Sequence, residues 1–71
     1  MMPLALANPG EESQILKVGG SPAMKKHLED MGFTAGSFVT VVSALGGNLI
    51  VNVRETRVAI NREMANRIMV K

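Results

Sequence analysis

The sequence predicts a small, mostly β barrel of about five strands, with one α-helix inserted after the first strand and a short helical turn before the last. Three observations carry this. Phe38-Val39-Thr40-Val41-Val42 and Leu49-Ile50-Val51-Asn52-Val53 alternate in polarity and are broken by Gly46-Gly47-Asn48. A third run, Arg57-Val58-Ala59-Ile60, follows after the tight connection Arg54-Glu55-Thr56. Upstream, Ser21-Pro22 and Gly32 bracket a stretch of helical period. Period-two runs joined by short turns are antiparallel hairpins. Curling such a sheet into a barrel limits its unpaired edges. A barrel this small has no deep cleft, so the expectation is binding on the rim or flank rather than chemistry inside.

The elements follow in order. Asn8-Pro9-Gly10 is a turn signal, and Leu4 and Leu6 before it are expected to tuck a short helical turn against the barrel. Glu12 to Val18 reads as a strand ended by Gly19-Gly20. Ser21 can accept from a free first-turn amide, and Pro22 at the first helical position loses no needed donor. Met24, Leu28 and Met31 form one apolar stripe, with Lys25, Lys26, Glu29 and Asp30 pointing away from it. Gly32 supplies the left-handed residue that stops the helix, and Phe33 is placed to clasp Leu28. After the three hairpin strands, Asn61 can cap a helical turn, Arg62-Glu63-Met64-Ala65, and Ile68-Met69-Val70 closes the sheet.

Composition narrows the function. The 71 residues are 46% hydrophobic and 20% charged, which fits one globular domain near the lower size limit for an independent core. The absence of cysteine removes disulfides, thiolate metal sites and cysteine catalysis. The net charge of +2 is unevenly spread: residues 1–32 balance at −1 and residues 33–71 at +3. The basic half is either a solvated face or a surface for an acidic partner. No apolar run is long enough for a bilayer span, and the first residues lack the basic and apolar regions of a signal peptide. The expected location is therefore cytoplasmic, with no membrane insertion.

Few residues suggest chemistry. The carboxylates are scattered, the serines lack a histidine at any recognisable spacing, and Gly46-Gly47 precedes a strand rather than a helix, as a hairpin turn does. No enzymatic activity and no cofactor are expected. His27, the only histidine, has Asp30 within reach, but two ligands do not make a closed transition-metal site. The methionines fall at apolar positions and read as packing residues.

Five segments in order give the chain a family likeness. They are Pro3-Leu4 with Pro9-Gly10; Leu28-Glu29-Asp30-Met31-Gly32-Phe33 with Gly36; Leu45-Gly46-Gly47-Asn48-Leu49-Ile50-Val51-Asn52-Val53; Arg57-Val58-Ala59-Ile60; and Met64-Ala65-Asn66-Arg67-Ile68-Met69-Val70. On these the chain resembles the FeoA family, small proteins of bacterial ferrous iron uptake, over nearly its whole length. The resemblance implies an SH3-like barrel, of the kind also found as the C-terminal domain of iron-dependent repressors. It also implies an accessory or regulatory role beside FeoB, the membrane transporter with a cytoplasmic GTP-binding domain. One departure is the turn Arg54-Glu55-Thr56, where many relatives have glycine.

The partner-binding surface is expected between the Ser21–Gly32 helix and the barrel, with Met31, Phe33 and Leu45 as apolar contacts and Arg54 and Arg57 setting register. Met31 and Phe33 also fit buried positions, and Leu45 leads into a turn. Weak self-association is left open. An alternative is a transition-metal sensor or shuttle that shares ligands with a partner. A nucleic-acid-binding barrel is disfavoured, because single-strand binders stack bases on exposed aromatics and both phenylalanines read as core.

Overall fold

The computed structural model describes residues 1–71 as a six-stranded antiparallel sheet with two short helices. The strands are β1 (Met2–Pro3), β2 (Glu12–Val18), β3 (Phe38–Leu45), β4 (Asn48–Val53), β5 (Thr56–Ile60) and β6 (Ile68–Val70). Helix α1 spans Pro22–Asp30, α2 spans Arg62–Arg67, and a single 3-10 turn covers Leu4–Leu6. In space the strands run β1-β6-β2-β3-β4-β5.

Strand β2 bends the sheet toward a barrel, together with a bulge between Val41 and Ser43 in β3. The first half of β2, Glu12 to Gln14, pairs with β3, and its second half, Ile15 to Val18, pairs with β6. A bulge between Ile15 and Lys17 marks the change of partner. Bulges sharpen local twist and turn a strand from one sheet into the next. The whole molecule measures 28 × 24 × 23 Å along its principal axes.

Local chemistry sets the rest. The Ser21 hydroxyl accepts from the Met24 amide at 3.2 Å, and Pro22 opens α1. At its end the Phe33 amide donates to the Leu28 carbonyl and the Gly32 amide to Glu29, both at 3.0 Å. That pair of bonds is a Schellman ending, and Gly32 takes the required positive φ of 105°. Asn61 caps α2 in the same way, its side chain accepting from the Met64 amide at 2.8 Å.

Both hairpins joining β3, β4 and β5 close with two residues. Leu45 pairs with Asn48 and Val53 with Thr56, so Asn48 and Thr56 belong to strands rather than to the turns. Both central residues of each turn have positive φ: 61° and 88° at Gly46-Gly47, 51° and 64° at Arg54-Glu55. This is the primed geometry whose twist matches a hairpin. Glycine adopts it freely; Arg54 and Glu55 hold it at a cost of order 1–3 kcal/mol each. A Cβ at Gly47 would lie 3.1 Å from the Nε of the exposed Arg62, whose side chain can shift, so it is the backbone conformation that calls for glycine there.

Fifteen buried residues, all hydrophobic, form one core cluster. Phe33, Leu4, Ile15, Leu28 and Ile68 are its largest members, and Met24, Met31 and Met64 pack half-buried against it. Three expectations need correction. The N-terminal residues add a sixth strand, β1, which pairs with β6 through Met2–Val70 and Pro3–Met69. Leu4 is fully buried, but Leu6 is 68% exposed, because one 3-10 turn presents only part of its circumference to the core. Phe38 is not a core residue: it is 54% exposed, on the outer side of β3 opposite Val39 and Val41.

Candidate functional site

The alternation of β3 and β4 sends Val39, Val41, Leu49, Val51 and Val53 inward. It leaves Phe38, Thr40, Ile50 and Asn52 on the outer face. Registration then lines up one row across four strands: Glu12 beside Thr40, Thr40 beside Asn52, Asn52 beside Arg57. The Arg57 Nε donates to the Asn52 Oδ1 at 3.4 Å, so the end of the row is fixed. An open groove of about 360 Å³ lies over this face, lined by Glu12, Ser37, Phe38, Thr40, Asn52, Arg54 and Glu55.

Arg54 links the groove to the segment after α1. Its guanidinium donates to the Thr34 hydroxyl at 3.2 Å, and Thr34 shares a 2.8 Å hydrogen bond with Ser37 on the groove wall. The stem crosses Gly32, where a Cβ would stand 3.4 Å from the Arg54 Cδ. Neither Arg54 nor Arg57 has a carboxylate partner; the one ion pair of the molecule joins Lys26 and Asp30 at 3.5 Å on α1. A cation held by neutral hydrogen bonds keeps its charge free for an incoming anion.

The five residues singled out from the sequence do not form one patch. Arg54 lies in the groove and Arg57 at the end of the row that crosses it, while Met31 is half-buried beside Gly32. Phe33 has no exposed surface and cannot touch a partner, because the Schellman ending turns it onto Leu28. Leu45 is 84% exposed, but it flanks the β3–β4 turn, separated from Arg54 in the β4–β5 turn by all of β4. At the usual rise this is about 17 Å or more. The groove on the sheet has no residue of α1 in its lining, so it is distinct from the surface expected between α1 and the barrel.

The residues missed were Phe38, Glu12 and Asn52. Parity would have found Phe38, since it shares a face with Thr40 while Val39 and Val41 occupy the other. The exposed Phe38 also corrects the reason given against nucleic acid, because one stacking surface does exist. The groove walls, however, include Glu12 and Glu55, which repel phosphate. His27 is exposed, and no three His, Asp or Glu side chains converge on a point that could hold a metal.

A profile described as the FeoA domain matches residues 2–71. A protein of Methanocaldococcus jannaschii named "Putative Fe(2+) transport protein A" is 34% identical over 71 residues, covering all of this chain and 87% of that one. Among solved structures, an iron uptake regulatory protein (FeoA) superposes with TM-score 0.90 at 30% identity, over 99% of this chain and 93% of that one. The Stenotrophomonas maltophilia FeoA complexed with zinc, described as an SH3 domain protein, gives 0.86 at 27% identity, over 100% and 91%. A manganese-dependent transcriptional repressor shares the fold at TM-score 0.87 and 18% identity, this chain spanning 39% of it. The SH3-like barrel and the profile match over nearly every residue agree: this chain belongs to the FeoA family of ferrous iron transport.

Proposed function

We propose that this chain is a non-catalytic accessory protein of ferrous iron uptake, binding the cytoplasmic part of a FeoB-type membrane transporter through the outer face of β2 to β5. One observation carries the reading. Phe38, the single exposed aromatic ring, shares a groove with Arg54, and Arg57 closes the row across that groove; neither arginine has a carboxylate partner. Exposed aromatics and arginines are the side chains that dominate binding energy at interfaces. The family's role in ferrous iron transport points to the transporter as the partner. The Stenotrophomonas maltophilia relative has been put forward as a transport activating factor, which suits an accessory role.

A metal-holding role fits the residues less well. His27 is solitary, Asp30 pairs with Lys26, and no third donor approaches. Iron is cargo of the system rather than a group these side chains are built to hold. Calorimetric titration of the purified protein with the soluble cytoplasmic part of the transporter tests the reading. Saturable binding that weakens in Phe38→Ala is expected; no binding to the fragment removes it.

A further inference from the structure

The two ends of the sheet differ. β1 is two residues long, contains Pro3, and has α2 packed beside it. β5 is five residues long, Thr56 to Ile60, with no proline and no bulge in its pairing to β4. Natural edge strands are normally blunted by such devices or by charged side chains, and of these β5 carries only Arg57. Beyond the β4 ladder, no backbone hydrogen bond reaches residues 56–60.

Registration identifies the free groups. In a hairpin closed by two residues the flanking pair is hydrogen-bonded, and bonded and non-bonded pairs then alternate. Val53–Thr56, Val51–Val58 and Leu49–Ile60 are therefore the bonded pairs. Arg57 and Ala59 aim their N–H and C=O groups outward, away from β4. Two donors and two acceptors at strand spacing match one ligand above others, an extended peptide.

Side-chain charge selects the peptide. Arg57 is the only charged residue of β5, and it faces outward with Asn52, without a carboxylate. A strand added beside β5 would place one of its residues on the same face directly opposite Arg57, with Cβ atoms about 5 Å apart. A second copy of this chain paired about Val58 would put Ala59 there and set the two Arg57 side chains on a diagonal. It supplies no anion. Resting on the interaction role proposed above, we infer that the free edge of β5 takes an extended acidic segment of a partner protein as a seventh strand, with a carboxylate opposite Arg57.

The test uses the full chain labelled with nitrogen-15 and a blocked synthetic peptide alternating Glu with Val and Thr. The expected result is peptide-dependent shifts, with slowed hydrogen exchange, at the Arg57 and Ala59 amides. Ala59→Pro removes an outward donor while leaving the β4 ladder, a tolerated place for proline on an edge, and should weaken binding about tenfold. A peptide N-methylated on the side facing β5 asks the same question without altering the protein and should lose as much. Arg57→Glu should weaken the acidic peptide and restore binding to one with Lys in place of Glu. Equal binding of the N-methylated peptide, no response at β5, or the same shifts from protein concentration alone would each overturn the inference. Because the probe is not the transporter, failure here leaves the proposed function standing.

Discussion

The Arg54 guanidinium reaches back across the hairpin to the Thr34 hydroxyl at 3.2 Å, fastening a strained turn to the loop that follows α1. The same residue has left-handed backbone, φ 51°, and lines the groove. Strain of this kind persists where the surrounding structure holds it, and here the holder is a side-chain bond beside the candidate site.

Glu55→Gly should stabilise the fold by about 1 kcal/mol, since glycine adopts φ 64° without the Cβ penalty. Arg54→Gly relieves similar strain but loses the Thr34 bond, so its gain should be smaller. Urea midpoints of the two variants check the order. A destabilised Glu55→Gly would show that the turn is not strained.

Gly32→Ala should destabilise by about 1–2 kcal/mol. Its φ of 105° suits glycine alone, and the Schellman bonds that end α1 depend on it. The added methyl group meets Arg54 at ordinary contact distance, so the effect is conformational rather than steric. Thermal unfolding with unchanged stability would contradict the assigned helix ending.

The two phenylalanines should behave oppositely. Phe33→Ala empties the middle of a small core and should cost about 3–5 kcal/mol, enough to unfold much of a 71-residue domain. Phe38→Ala, on the outer face, should change stability by no more than about 0.5 kcal/mol while weakening partner binding severalfold. Parallel circular dichroism melts and titrations separate the two roles; equal melting temperatures would refute the burial assigned to Phe33.

Much of this was readable from the chain because the signals are local. Ser21-Pro22 and Gly32 mark α1 by capping chemistry, and Gly46-Gly47 marks a turn that only glycine enters freely. β1 was not readable, because two residues become a strand only through pairing with Met69 and Val70 at the other end of the chain. The turn at Arg54-Glu55 resisted for the opposite reason: its residues do not favour the conformation that the flanking strands impose. At the site, Arg54 and Arg57 were identifiable as charges on a hairpin. Phe38 was not, because its hydrophobicity outweighed the strand parity that places it outside. The groove itself depends on the register of β2 against β3, which joins residues far apart in sequence.

The β2 to β5 face is proposed to bind the transporter. The most direct measurement is calorimetric affinity for the transporter's soluble cytoplasmic part, compared between this protein and the double variant Arg54→Glu, Arg57→Glu, at low and high salt. Charge reversal at these two arginines should weaken binding at least about tenfold, with the difference shrinking as salt screens it. Wild-type affinity in a folded double variant would contradict the assignment of this face.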